Sequence, residues 1–401
     1  MVQRRRTPHN TQQLVKSIFG VNLLVMRVLG FYPPRKCGFL YRLYSVVVYC
    51  IFTFLIPVLS TLYLITDPNL NLDKVADSAF IICQLGCFII KMLPFLLNGK
   101  EIRESIYMME HEAFVKFTRE QEHIIQDCRK MCRRTSWLFL SFCSACLTTW
   151  AITPLFEKEP KLPIDVWLPY DFGKNKKLYL ISYLYTFAGT GSGALSNGAI
   201  DPLIAGMAYF ATCQIKILKD NLQHLGKHLE TERNNNENPH DAQNLKHELI
   251  YSQIRNCVYH HNVIIKFVEN YENVFSFVVF TQFCASVLVI CICCFRLSQM
   301  TSFSMSFVWM AIFLCTMLSE IFLYCIYGTT LFEENSTLMQ AVHMGKWYEY
   351  DQKSKKSLIV LMERSKRPMV VTAGKILDLS LETFTTILRR AYSLLAVLKN
   401  Y

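Results

Sequence analysis

The feature that most constrains this chain is the recurrence of apolar runs long enough to cross a lipid bilayer. Crossing the hydrocarbon core takes roughly 20 mostly apolar residues in a helix, and seven stretches qualify: 43–65, 75–97, 136–156, 178–213, 274–295, 303–331 and 370–398. Lys91 lies within the second. The fourth is longer than a bilayer requires and is interrupted by glycines and by Asp201-Pro202, so its last turns are expected to leave the membrane as a continuous helix. With 18% charged and 52% hydrophobic residues among 401, against about 25% charged in soluble domains, an ordinary water-soluble enzyme is excluded. The net charge of +11 therefore does not signal a nucleic-acid partner.

The placement of the basic residues orients the spans. The segments 1–42, 98–135, 214–273 and 332–369 hold 30 Lys and Arg, whereas the connections 66–74, 157–177 and 296–302 with the last residues hold 8. Basic loops stay cytoplasmic, so the expectation is a cytoplasmic N-terminus and, after seven spans, an extracellular C-terminus. The fold class is an all-α membrane protein, with spans four to six extending into the cytoplasm. It divides into a cytoplasmic N-terminal arm (1–42), spans one to six (43–331), a cytoplasmic anchor segment (332–369) and a final helix (370–401).

None of the 16 cysteines falls in the three outer connections, which excludes a disulfide-stapled ectodomain. Those within spans act as small apolar packing residues. His123, Cys128 and Cys132 lack a fourth ligand for zinc. The sequon Asn335-Ser336-Thr337 lies on the cytoplasmic side and is expected to be unmodified. Gly189 to Ala194 has the letters of a dinucleotide fingerprint, but inside a membrane span and not at the end of a strand. No catalytic constellation, metal site or cofactor is implied, and the chain is not read as an enzyme.

Two groups of residues carry functional expectations. In the last span, helical steps from Asp378 pass through Glu382, Thr386, Arg389, Ser393, Val397 and Asn400, a mostly polar stripe. Charges facing lipid are costly, so this stripe faces water or polar partners, as in a pore whose cytoplasmic mouth carries Asp378 and Glu382. A packed bundle helix with internally paired charges is the alternative. In the outer halves of the other spans, Phe80, Trp150, Tyr183, Tyr185 and Phe187 cluster with small residues, as a pocket for a small apolar molecule requires. Aromatic belts at the membrane interface give the same pattern.

The C-terminal third resembles a known family. Ser336, Leu338, Ala341, Trp347-Tyr348, Leu361-Met362, Arg364, Pro368, Ala373-Gly374-Lys375, Ser380, Phe384 and Tyr392-Ser393 stand in the order and spacing of the seven-helix insect odorant receptors. Leu162-Pro163, Trp167 to Asp171 and Asp201 are similar to the same family. The resemblance implies an odorant-tuned subunit of a heterotetrameric ligand-gated cation channel, assembled with an obligate co-receptor in the plasma membrane of olfactory sensory neuron dendrites. It implies a pocket for a small volatile odorant or pheromone, bounded by spans two, three, four and six. By alignment the pocket residues are Phe80, Cys83, Gln84, Cys143, Cys146 and Trp150, with Tyr183, Phe187 and Gly191 on the fourth span. The gate falls on Val397 and the outer polar pore position on Asn400. Arg389-Arg390 replace small residues of the co-receptor. The 214–273 connection is too short for the co-receptor's extended loop. A gustatory receptor of the same superfamily is the alternative, and a G-protein-coupled receptor conflicts with the charge bias.

Overall fold

The computed structural model describes residues 12–32, 39–66, 72–156, 162–170, 175–226, 239–299 and 305–399. It is built of helices: α1 (Gln12–Val28), α2 (Phe39–Val48), α3 (Leu55–Thr66), α4 (Leu72–Leu97), α5 (Gly99–Tyr107), α6 (Glu112–Val115), α7 (Glu122–Ile152), α8 (Lys176–Gln223), α9 (Pro239–Gln299), α10 (Met305–Ser336), α11 (Leu338–Met344), α12 (Gln352–Ser365) and α13 (Leu381–Lys399). A π-helical turn, Tyr49–Phe54, joins α2 to α3. The two-residue strands β1 (Thr372–Ala373) and β2 (Leu377–Asp378) pair antiparallel.

The expected spans are present as α2–α3, α4, α7, α8, α9, α10 and α13. Among the described residues, four helices are long and apolar enough to cross a membrane on length and composition alone: Phe39–Thr66, Glu122–Ile152, Gln243–Ser298 and Met305–Met344. A fifth forms if Ile82–Leu97 is taken with Gly99–Glu110, to which it is bent by 76°. α8 is rich in Gly, Ser and Thr because it is enclosed by other helices and needs little lipid-facing surface. At 1.5 Å per residue, α8 and α9, of 48 and 61 residues, exceed the roughly 30 Å hydrocarbon core more than twofold. α8 stays helical through Pro202.

The core forms around α8. Ile200, Leu203, Ile204, Met207, Phe210, Ile217 and Leu218 are fully buried there. The N-terminal arm of the sequence contributes to it, because α1 presents Val15, Ile18, Phe19 and Met26 on one face. Asn22 Nδ2 donates to Ala199 O at 2.8 Å. Phe19 lies where a Cβ on Gly206 would come within 2.6 Å of it, so the missing side chain of Gly206 admits the ring.

The final span begins later than its apolar pattern suggests. Gly374 and Lys375 both have positive φ, 63° and 59°, and turn the chain into the β1–β2 hairpin with Thr372 opposite Asp378. α9 holds this turn: Gly374 N and Lys375 N donate to Ser276 O and Oγ at 3.0 and 3.2 Å. Helix therefore starts at Leu381, with Ser380 Oγ accepting from Thr383 N at 3.1 Å, the hydrogen bond that satisfies a free amide at a helix start. Asp378 consequently belongs to β2 and not to the helical stripe.

Candidate functional site

α4, α7, α8 and α10 diverge to enclose a cavity of about 130 Å³. α7 contributes Phe139, Cys143, Cys146, Leu147 and Trp150. α10 contributes Trp309, Phe313, Thr316, Met317 and Glu320, and α8 contributes residues from Thr190 to Asp201. Gln84, Leu85 and Phe88 complete the wall from α4. The lining positions on α7, α8 and α10 each run over twelve residues, about 16 Å of helix, so the cavity is elongated. One end is covered by Ile164. The loop that carries Ile164 folds back onto the helices, where Leu162, Ile164 and Val166 are buried against Ile56 and Trp167 N donates to Leu59 O at 3.0 Å.

At the opposite end lies a buried polar cluster. Lys91 Nζ donates to Asp201 Oδ1 at 2.5 Å, Asn197 Oδ1 at 2.8 Å and Gln282 Oε1 at 3.0 Å. Glu320 Oε1 stands 3.5 Å from the same ammonium, and Tyr324 Oη donates to Asp201 Oδ1 at 2.9 Å. Four helices contribute: α4, α8, α9 and α10. Isolated charges in a low-dielectric interior are too costly to stand alone, which is why Lys91, Asp201 and Glu320 converge.

Of the expected pocket residues, Gln84, Cys143, Cys146 and Trp150 line the cavity. Cys83 packs at the edge of the core instead, and Gly191 meets Leu147, where a Cβ would approach Cδ2 to 3.2 Å. Tyr183 donates to Ala151 O and packs at a tilt against Tyr179, 6.0 Å between centroids, beneath the outer loop. Phe187 is half-buried on α8, outside the lining. Phe80 is described only as part of α4. The residues that α10 supplies carried no periodic signal of their own in an almost uniformly apolar span. Sequence reasoning passed over Glu320; the signal that could have found it is that Asp201 and Glu320 are the single acids of the fourth and sixth spans, where an intramembrane charge needs a partner.

On α13 the buried face is Ile387 and Ala391, with Phe384 against Phe322 of α10 at 5.5 Å between ring centroids. Glu382, Thr386, Arg389 and Ser393 are all exposed in the single chain, one strip along the helix. Val397 is described only as part of α13, and Asn400 lies outside the described residues. Elsewhere, Cys128 and Cys132 are buried in the core while His123 turns outward to Glu120 O, so these three do not converge. Asn335 is itself buried, its Nδ2 donating to Arg367 O at 3.4 Å.

Comparison with known proteins agrees with this architecture. The chain is 22% identical to odorant receptor Or1 of Anopheles gambiae, with 95% of each chain covered, and 23% identical to odorant receptor 33a of Drosophila melanogaster, with 94% and 95% covered. Its fold superposes on the insect olfactory receptor OR5 of Machilis hrabei with a TM-score of 0.82 at 16% identity, covering 97% of this chain and 99% of that one. The same receptor in complex with eugenol gives 0.80 at 15% identity, with 98% and 99% covered. The profile of the 7tm Odorant receptor family matches residues 71–392, and the chain, a membrane receptor and not an enzyme, belongs to that family.

Proposed function

We propose that this chain is the odorant-binding subunit of a heteromeric ligand-gated cation channel in the plasma membrane, its N-terminus cytoplasmic and its C-terminus extracellular. The observation that carries the reading is the cavity between α4, α7, α8 and α10, walled by Phe88, Phe139, Trp150, Trp309 and Phe313. An engineered apolar cavity of about 150 Å³ accepts benzene, so a space of about 130 Å³ suits a small volatile molecule. The exposed polar strip on α13 supports the second half of the reading: several such helices around an axis line a water-filled path, with an obligate co-receptor supplying the others. A ligand that binds the open arrangement more tightly than the closed one shifts the population toward open.

The test is an odorant panel applied to cells expressing the receptor with and without the co-receptor, after an epitope placed beyond Tyr401 has been probed on intact cells. Ligand-evoked cation current that needs both chains, with the epitope reached from outside, is expected. An epitope reached only after permeabilisation overturns the topology and the pore assignment of α13 with it.

A further inference from the structure

Glu320 is 4% exposed, lines the cavity, and its Oε1 accepts no hydrogen bond. The reason lies in the supply of donors around it. An ammonium has three N–H groups, and those of Lys91 are taken by Asp201, Asn197 and Gln282. The Tyr324 hydroxyl is taken by Asp201 as well. What reaches Glu320 Oε1 is an ion-pair contact at 3.5 Å, and two acids, Asp201 and Glu320, face one cation. A buried acceptor left unmatched is costly, and here it borders a space of about 130 Å³ whose other walls are overwhelmingly apolar.

We infer that Glu320 forms a donor-selective subsite at the inner end of the cavity, which takes small apolar molecules ending in a single O–H or N–H group: alcohols, phenols and primary amines. The inference rests on the cavity being the odorant site and names the class of odorant it prefers. The ligand's hydroxyl or amine donates to Glu320 Oε1 while its hydrocarbon body lies along Phe139, Phe313 and Trp150. Ethers and hydrocarbons of the same shape fill the same space and leave that oxygen unmatched. Two further acceptors without partners, Gln84 Oε1 and Thr190 Oγ1, sit in less deeply buried wall residues; Glu320 differs from them in burial.

The test measures binding of 4-methylphenol, 4-methylanisole and p-xylene to the full-length receptor in cell membranes by saturation-transfer NMR, with surface expression recorded for every variant. In the native receptor 4-methylphenol is expected to bind about tenfold more tightly than 4-methylanisole, the scale of one net hydrogen bond. Glu320→Leu should collapse that ratio to near one while p-xylene binding persists. Glu320→Met, which keeps the length of the side chain but carries no oxygen, should collapse the ratio as well and decides the matter if the leucine variant fails to reach the surface. Equal binding of all three compounds, absence of binding by all three, or a ratio unchanged in E320M overturns the subsite. A ratio that disappears instead in Gln84→Leu also overturns it, by placing the selection at the other end. Trp150→Ala separates the two levels of the argument: weaker binding of all three compounds with an unchanged ratio keeps the cavity as the binding place. Affinities untouched by both W150A and E320L remove the cavity reading together with the subsite.

Discussion

Lys91 Nζ lies 2.5 Å from Asp201 Oδ1 with both side chains 1% exposed, which ties α4 to α8 through a charge pair sealed from solvent. Removing one member of such a pair leaves the other buried and uncompensated, at a cost of about 3–5 kcal/mol. Lys91→Met and Asp201→Asn are therefore each expected to reduce surface expression and lower the Tm of the solubilised receptor. The double variant should recover a measurable part of the loss, since an uncharged replacement of both partners avoids the stranded charge. Losses that simply add would show that the pair is not coupled.

A Cβ on Gly328 would lie 2.1 Å from Leu379 O, a backbone atom at the start of α13. Gly328→Ala must push α10 and α13 apart, and overpacking of this kind typically costs about 1–3 kcal/mol. Gly20 on α1 has nothing within 4 Å of such a Cβ, so Gly20→Ala should be neutral or stabilising through helix propensity. Thermal unfolding of the two variants in one detergent checks the contrast, and a Gly328→Ala protein as stable as the native one contradicts the close approach.

Replacing Trp150 with Ala enlarges the covered end of the cavity without touching the α13 strip. The order of ligand potency is expected to change while surface expression is kept. Arg389→Ala, on the exposed strip, and replacement of Val397 should do the reverse, altering ion permeation or resting current with the ligand ranking intact. Whole-cell recordings over a fixed odorant panel distinguish the two; an Arg389→Ala channel with native permeation would place the strip outside the conduction path.

His260 and His261 on α9, in the stretch expected to extend beyond the bilayer, are buried, and burial pushes both from 6.5 down to about 4. Neighbouring His261 and His111 add to the effect at His260, and Arg364 does so at His261. His260 Nε2 also meets Gln214 Oε1 at 3.1 Å, and its ring packs on Phe114, 5.8 Å between centroids. Between about pH 4 and pH 6.5 the unfolded chain holds protons on these histidines that the folded chain does not, so stability falls as the pH is lowered through that window. The Tm of the solubilised receptor should drop from pH 7 to about pH 4.5, and His260→Gln should flatten the dependence. A profile with equal slope in the variant would assign it to other groups.

The sequence by itself determined that this is a helical membrane protein, because bilayer thickness fixes the length of every apolar run and charge cost keeps most Lys and Arg in the connections. It also showed one face of the last helix as polar, since Glu382, Thr386, Arg389 and Ser393 recur at helical spacing. It did not show where that helix begins: Gly374 and Lys375 form a turn at positive φ held by Ser276 some hundred residues upstream, a contact that no local pattern encodes. α1 is similar, an arm in sequence but a core helix once Phe19 meets Gly206.

The cavity divides in the same way. Trp150, Cys146, Cys143 and Gln84 were legible by family spacing, whereas Tyr183 and Cys83 turn to other neighbours, because which side of a membrane helix faces a cavity depends on its rotation against the others. In spans this uniformly apolar, periodicity does not report that rotation. The convergence of Lys91, Asp201 and Glu320, 110 and 119 residues apart in steps along the chain, was decided only by tertiary packing: the bilayer requires each buried charge to find a partner, and the fold alone sets which partner lies within reach and which acceptor is left facing the cavity.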